Sequence, residues 1–577
     1  MALPVFASLQ GYRRLWLSRD VVAGLTVWAV LIPEALAYAS IAGVSPVVGL
    51  YAAPPALLLY AMFGSSRHLV TGPMSATAAL SATAVADVAA DGGASAAQLT
   101  AALAVATGVV AVLAGLAHLG FFSSFISEPV LKGFIIGMAL TIVIGQVPAL
   151  FGIGKGDGNF FEKSWDVLTS LGDTSLTTLA VGVASLAVVL GLKHGAPVVP
   201  ASLVVVALGV LAVTLFGLDD HGVGIVGTIE SGLPSLGFPD LPFGDYGRLA
   251  GAAVGVTFVG FAEGLGAAKT YAQKEHYDID PNRELIGLGA ANLGSGLASG
   301  MVVNGSLSKT AVNGSAGARS QVSGLVVAVL TVVTLLLLTG LFENLPEATL
   351  AAVVIAAVVE LIDLRALDRL RQTYTPVLRE VYGVAARPDF IAAVAAMLGV
   401  LVFDTLPGLF IGVGVSLGLL LYRASRPNVA VLEQVSGTDG DGGGVFADVE
   451  RQRSRHPVPG VLVLRPESGL FFANADAVRD RIKAEVAAAH PRPHAVVLDA
   501  ETVPFIDVTA VGVLEELADD LDREGVRLVL ARDVGQVRDL AGDGAVGAAG
   551  STGLRSYPTV HAAVAALVGD ASPGRDA

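Results

Sequence analysis

The fold is decided by two short segments, TGPMSAT at residues 71–77 and NGSLSKT at residues 304–310, which start 233 positions apart. Each opens an apolar segment that is too short, or too rich in Gly, Pro and Ser, to cross a bilayer unaided. Each also follows a carboxylate that lies inside an apolar span, and these carboxylates, Glu34 and Glu263, are offset by 229 residues. The near-constant spacing indicates an internal repeat.

The rest of the chain reads as a series of apolar runs, many of them near the 20 residues that match the hydrocarbon thickness of a bilayer. Hydrophobic residues make up 53% of the 577 residues and charged residues 15%, with a mean hydropathy of +0.69. A soluble α/β enzyme of this size needs more charge on its surface, so we predict a polytopic membrane protein. Its 14 predicted spans are 21–42, 46–63, 74–89, 98–118, 125–150, 174–192, 197–217, 247–271, 284–301, 308–316, 319–341, 346–361, 388–404 and 407–423.

Seven spans in each half make the two halves inverted relative to each other in the membrane. Unpaired backbone donors cost several kcal/mol inside a bilayer, so interrupted helices persist there only beside a cavity or a ligand. Two half-helices that start near the membrane centre would aim their free N–H groups and positive dipole ends at one point. This arrangement predicts an anion site. The alternative is that the Gly and Pro residues only help helices to pack.

Three of the charged residues inside the predicted spans are functional candidates, because intramembrane charges are costly. Glu34 and Glu263 are predicted to couple transport to protons, since protonation removes the charge that repels an entering anion. Lys309, at the start of the second half-helix, would add positive potential to the same site. The alternative for Glu263 is a static buried ion pair with Lys309, whereas Glu34 has no evident basic partner nearby in sequence.

The charges between the spans predict the topology. Basic residues precede the first span and follow the eighth and twelfth, whereas the stretch 217–246 is acidic, so we expect both termini to be cytoplasmic. We identify no cleavable signal peptide, because the first apolar run is too long and lacks a small-residue cleavage site. The expected location is the inner (plasma) membrane.

Two domains are predicted, a transmembrane domain at residues 1–425 and a soluble domain at residues 426–577. The second has 15 Lys and Arg against 23 Asp and Glu. Its strand-like runs (Val461–Leu464, Ala495–Leu498, Val526–Ala531) alternate with helix-like runs (Ala473–Ala489, Val511–Arg523, Thr559–Val568), which predicts a small α/β domain. The Gly437–Gly444 stretch before them is predicted to be a loop.

Several function classes are disfavoured. The chain has no cysteine, and its closest histidine pair, His490 and His494, brackets a Pro-Arg-Pro stretch, so we expect no metal site. A net charge of −15 argues against a nucleic-acid partner. We identify no catalytic residues and no cofactor motif, so an enzyme is not expected.

Five stretches of the chain carry a family resemblance: IPEALAYA at 32–39, GVSPVVGLY at 43–51, FGSSRH at 63–68, EPVLKGF at 128–134 and GSLSKTAVN at 305–313. They resemble the SulP family of anion permeases (the sulfate permease family). The acidic residue Glu263 in GFAE at 260–263 also looks like the acidic residue of the family's eighth span. In the tail, Asp507-Val508-Thr509 looks like the Asp-x-Ser/Thr loop of a STAS domain, which the tail resembles.

The resemblance implies a 7+7 inverted repeat divided into core and gate domains, an elevator-type motion and a homodimer. The anion would lie between the third and tenth segments, where Ser75, Ala76 and Ser308 would offer backbone donors and Tyr38 and Glu34 would flank the pocket. In the tail, the hydroxyl of Thr509 is a phosphosite candidate or, alternatively, a helix N-cap.

Three departures from the family pattern bear on coupling. Many members have Gln where Glu34 stands, so an acidic residue there favours proton coupling. Lys309 replaces the usual Arg and loses bidentate geometry. Sodium-coupled members have a hydroxyl at the position of Ala267, so sodium is the less favoured ion.

The leading expectation is therefore a secondary active, proton-coupled importer of a small anion, namely bicarbonate, sulfate or a C4-dicarboxylate. The alternatives are an uncoupled anion channel and an anion exchanger. A signalling protein that is merely anchored by its spans is disfavoured, because anchoring does not require 14 spans with broken helices.

Overall fold

In the computed structural model, the structure describes residues 5–9, 11–89, 94–121, 127–154, 156, 158–196, 199–229, 231–372, 387–403, 405–435, 445–449, 457–533, 535 and 555–570. The predicted loop Gly437–Gly444 lies outside these residues. Contacts divide the chain into two compact units, with boundaries at 373/374, 388/389 and 416/417. The predicted boundary between domains at 425/426 stays a prediction.

The first unit is helical, and each of the 14 predicted spans corresponds to a helix of the structure. Eight of the described helices are long and apolar enough to cross a membrane, and four more are shorter and apolar. The fold class predicted for this part of the chain is therefore confirmed. The span helices are α1 (Leu17–Ile41), α2 (Pro46–Phe63), α3 (Ser75–Ala89), α4 (Ala96–Leu116), α5 (Glu128–Phe151), α7 (Leu176–Gly195), α8 (Ala201–Phe216), α9 (Phe243–Glu275), α10 (Pro281–Leu297), α11 (Leu307–Ser315), α12 (Val322–Val333), α13 (Glu347–Val358), α15 (Pro388–Phe403) and α16 (Thr405–Ala424).

The structure adds elements that the apolar runs did not predict. Two amphipathic helices, α6 (Phe160–Thr169) and α14 (Leu364–Gln372), are too short and polar to register as spans. Two three-residue strands, β1 (Val70–Gly72) and β2 (Asn304–Ser306), precede the short helices α3 and α11.

Glycines let the apolar helices approach closely. Gly108 on α4 and Gly289 on α10 face each other: a Cβ built on Gly108 would lie 2.8 Å from the carbonyl oxygen of Gly289, and the reverse contact would be 2.9 Å. Lipid is as apolar as the helix surfaces, so close van der Waals packing of this kind, rather than hydrophobic burial, holds membrane helices together.

Two fully buried carboxylates, which the sequence analysis did not single out, tie loops to helices. Asp20 on α1 accepts the amides of Arg319 (2.6 Å) and Ser320 (3.2 Å), which precede α12. Glu284 on α10 holds the loop that follows α2. Its donors are the hydroxyls of Tyr60 and Ser65 and the amides of Ser65 and Ser66, at 2.7–3.1 Å.

The second unit contains a six-stranded sheet of order β4-β3-β5-β6-β7-β8, in which β5 to β8 are parallel and β3 is antiparallel to both of its neighbours. The predicted strands and helices of the tail are confirmed, while β3, β4 and β8 are additions. The elements are β3 (Val429–Val435), β4 (Val445–Asp448), β5 (Val461–Pro466), α17 (Ala475–Ala488), β6 (Ala495–Asp499), α18 (Val508–Arg523), β7 (Arg527–Ala531), β8 (Ser556–Tyr557) and α19 (Val560–Asp570).

The helix α5 contains a matched pair of glycines that tests the packing argument. A Cβ on Gly133 would overlap the carbonyl of Ala393 on α15, whereas a Cβ on Gly145 would meet nothing within 4 Å. We expect Gly133→Ala to destabilise the protein by ~1–3 kcal/mol through overpacking. Gly145→Ala, in contrast, should be neutral or stabilising by up to ~1 kcal/mol, because alanine is the better helix former. Thermal unfolding of the two purified variants measures the difference, and equal melting temperatures would contradict it.

Candidate functional site

The two half-helices start from a pair of antiparallel strands in the first unit. In this pairing Val70 lies opposite Ser306 and Gly72 lies opposite Asn304. A further bond runs from the amide of Val70 to the hydroxyl of Thr310 at 3.1 Å. The prediction that segments 71–77 and 304–310 meet is therefore confirmed.

Because the strands are antiparallel, α3 and α11 leave the pair from opposite ends, as an inverted repeat requires. The first turn of each helix has backbone amides with no intrahelical acceptor. In α11 the hydroxyl of Ser306 accepts a hydrogen bond from the amide of Lys309 at 3.3 Å. This cap uses the third amide of the helix, and the amides of Leu307 and Ser308 precede it. The positive ends of both helix dipoles therefore lie at this strand pair.

Lys309 forms an ion pair with Glu34. Its Nζ lies 2.7 Å from Oε2 of Glu34 and 5.0 Å from the ring centre of Tyr38, so α11 contacts α1 through all three residues. The side chains of Lys309 and Glu34 are only 1% and 9% exposed. The alternative of a Lys309–Glu263 pair is wrong, because the lysine is bound to the other carboxylate.

Three other predicted site residues lie at the starts of the two half-helices and differ in exposure. Ser75 and Ala76 are buried at the start of α3, whereas Ser308 is exposed at the start of α11. The structure thus brings the segments of all predicted residues together in the first unit.

Glu263 occupies the equivalent position in the other half of the repeat. As α1 packs on α11, so α9, which carries Glu263, packs on α3. The residue of α3 that matches Lys309 at the 233-residue offset is Ala76, which has no charge. Among the described residues, Oε2 of Glu263 is buried and has no hydrogen-bond partner. One half of the repeat therefore has a carboxylate with a cation, and the other has a carboxylate without one.

Glycines on α9 make room for the strand pair beside Glu263. A Cβ on Gly264 would lie 3.0 Å from Oδ1 of Asn304, and one on Gly260 would lie 3.3 Å from Cγ of the same residue. Ala267, one turn beyond Glu263, is buried and supplies no hydroxyl. The strand β2 is thus seated directly against the helix that carries the unpaired carboxylate.

In the second unit, the structure corrects one alternative for Thr509. The N-cap of α18 is Asp507, whose carboxylate accepts the amide of Ala510 at 2.8 Å and that of Phe472 at 2.8 Å. Thr509 lies inside the first turn and is exposed, so it is not the cap.

Sequence reasoning missed the partner of Glu34, although two signals pointed to it. Charges inside apolar spans are expected to pair with one another. The inverted repeat also places the short helix of each half against the first helix of the other half. Together these signals lead from Glu34 to α11, whose lysine is Lys309.

The family follows from the comparisons. Residues 17–376 match the model of the sulfate permease family, and residues 454–563 match the STAS domain. The chain belongs to the sulfate permease family. As a member it is a multi-pass membrane protein of an anion-transporter family, and its second unit is a STAS domain.

Several relatives are similar over most of their length. A probable sulfate transporter of Mycobacterium tuberculosis is 34% identical over 529 residues, which cover 92% of this chain and 91% of the relative. High affinity sulfate transporter 1 of Stylosanthes hamata is 30% identical over 539 residues, with 89% and 78% covered.

Two solved structures share the fold at lower identity. The structure of SLC26A9 has 22% sequence identity to this chain and a TM-score of 0.85. The superposition covers 98% of this chain and 93% of the SLC26A9 chain. The transmembrane domain of the cyanobacterial bicarbonate transporter BicA is 22% identical with a TM-score of 0.59, covering 70% and 98%. The fold of both units is therefore that of known transporters.

The Glu34–Lys309 pair predicts strong coupling between two substitutions. Removing one partner of a buried ion pair leaves an uncompensated charge and costs ~3–5 kcal/mol. We expect Lys309→Met and Glu34→Gln each to lower the melting temperature, and the double variant to recover most of the loss. A thermal-shift double-mutant cycle in detergent measures this coupling. Additive losses would show that the two residues act independently.

Proposed function

We propose that this chain is a secondary active transporter that imports a small anion together with protons. The observation that carries the proposal is the meeting of two helix N-termini at a strand pair beside a buried lysine. Free amides and positive dipole ends favour an anion without needing a dedicated charged cage. The anion would be held by the amides of Ser75, Ala76 and Ser308, with Lys309 and Tyr38 beside it.

The ion pair suggests how the proton and the anion are coupled. While Glu34 is ionised it neutralises Lys309, which is 2.7 Å away. A proton on Glu34 would remove that partner, and the ammonium group would then attract the anion instead. Release of the proton on the other side of the membrane would restore the ion pair and expel the anion. The lysine thus exchanges one negative partner for another.

Glu263 is the second proposed proton carrier. Its half of the repeat has Ala76 where the other half has Lys309, so no side chain of α3 supplies the positive charge at that position. A proton would neutralise this carboxylate in place of the absent cation. The position of Ala267 has no hydroxyl that could help to hold sodium, which supports a proton rather than a sodium ion.

The relatives named sulfate transporters support sulfate as the first substrate to test. Bicarbonate and C4-dicarboxylates fit the same amide-lined chemistry, and BicA, a bicarbonate transporter, shares the fold. An elevator-type motion of the helices around α3 and α11 would carry the site across the membrane. A homodimer in the plasma membrane, with both termini cytoplasmic, completes the proposal.

Uptake into proteoliposomes tests the substrate and the role of Lys309. With radiolabelled sulfate and an inward proton gradient, we expect saturable uptake that unlabelled substrates inhibit. Lys309→Gln should raise the apparent KM tenfold or more, because a charge-assisted hydrogen bond contributes ~1.5–3 kcal/mol. Lys309→Arg, which retains the charge, is the matched control. Uptake that does not saturate, or single-channel currents, would instead establish a channel.

Separate substitutions of the two carboxylates test proton coupling. In wild-type vesicles, substrate entry should acidify a trapped pH indicator. We expect Glu34→Gln to continue exchanging anions while losing proton-driven accumulation, because Lys309 is then permanently free. Glu263→Gln should lower the number of protons carried per anion. Unchanged proton uptake in both variants would refute the coupling roles.

A further inference from the structure

The short helix α6 has three chemically different faces. Asn159 caps the helix, because its side-chain oxygen accepts hydrogen bonds from the amides of Phe161 and Glu162. The carboxylate of Glu162 in turn accepts a hydrogen bond from the amide of Asn159 at 2.8 Å. Val167 is buried and faces the protein. With 100° per residue, Phe161, Trp165 and Leu168 fall within a sector of roughly 60°. These three large apolar side chains are 53%, 68% and 61% exposed.

The polar residues lie on another side of the same helix. Glu162, Lys163, Asp166 and Thr169 project from the sector between the apolar stripe and the buried side that includes Val167. A helix with an exposed apolar stripe, a polar face and a tryptophan is typical of a segment that lies in the membrane interface. Tryptophan itself is enriched at that depth, because its amphipathic ring contacts both the apolar acyl chains and the hydrated headgroups.

The chain on either side fixes where α6 lies. The amide of Ser175 donates to the carbonyl of Phe151 at 3.0 Å, so the end of α5 and the start of α7 are held together. Both α5 and α7 are long and apolar enough to cross a membrane. A helix enclosed between two bonded span ends lies at the membrane surface and not far out in water.

The apolar stripe also continues onto a spanning helix. On α7, Leu176, Val183 and Leu190 recur every seven residues, and all three are exposed. Such a face on a span is in contact with lipid. Leu171, in the connection between α6 and α7, is exposed as well, so exposed apolar residues recur along the chain from Trp165 to this face of α7.

We propose that α6 is an interfacial anchor, which inserts Phe161, Trp165 and Leu168 into the boundary between the lipid headgroups and the acyl chains. Its partner is lipid rather than a second copy of the chain, because the stripe is narrow and α6 is enclosed between two helices that are long and apolar enough to cross a membrane. Inserted in this way, α6 holds the α5–α7 hairpin at a constant depth. This inference does not depend on which anion the protein carries.

The absence of cysteine from the chain gives a direct test. Leu168→Cys places a nitroxide label on the apolar stripe, and Asp166→Cys places one on the polar face of the same helix turn. In phosphatidylcholine nanodiscs, collision rates with oxygen report lipid exposure, and those with a neutral nickel chelate report water exposure. We expect the oxygen-to-nickel ratio to be several-fold higher at position 168 than at position 166.

Two results would overturn the proposal. Equal and high nickel accessibility at both positions would place α6 in water. Poor accessibility of position 168 to both reagents would mean that another protein surface covers the stripe. Should the labelled variants fail to fold, wild type and Trp165→Phe can be compared with brominated lipid, which quenches nearby tryptophan emission. A quenched fraction that does not fall in Trp165→Phe would also contradict insertion.

Discussion

The membrane part of this protein depends on six residues that pair as two short antiparallel strands within an apolar helical unit. Inside a bilayer each unpaired backbone group costs several kcal/mol, so a broken helix must find partners for its freed groups. Here each break supplies the partner for the other: Val70–Gly72 pairs with Asn304–Ser306. The pairing gives the backbone groups of both strands hydrogen-bond partners, and one half-helix starts at each end of the strand pair. The proposed anion site follows directly from this solution.

The same strand pair explains why the charges take the positions that they do. It seats α11 against α1 and α3 against α9, the helices that carry Glu34 and Glu263. On one side Lys309 binds Glu34, and on the other side the position that matches Lys309 is Ala76. The repeat is thus symmetric in its backbone and asymmetric in its charge. One half of the repeat thus has a buried ion pair, and the other has a carboxylate whose Oε2 finds no hydrogen-bond partner among the described residues.

Sequence reasoning succeeded where the physical signal is local. Apolar runs located all 14 span helices, because the hydrophobic length that crosses a bilayer is written in consecutive residues. The alternation in the tail located three strands and three helices for the same reason. The search for apolar spans missed α6, since a stretch of ten amphipathic residues is neither long nor apolar enough to count as a span. It also missed the two buried carboxylates Asp20 and Glu284, whose partners are loops far away in the chain.

By itself the sequence determined the membrane class, the number of spans, the internal repeat, the family and the residue types of the site. These properties depend on composition, spacing and motifs, all of which can be read along one dimension. Only the tertiary structure decided that Lys309 binds Glu34 and not Glu263. The two partners are 275 positions apart, and the free energy that selects between two carboxylates arises from packing that no run of consecutive residues encodes.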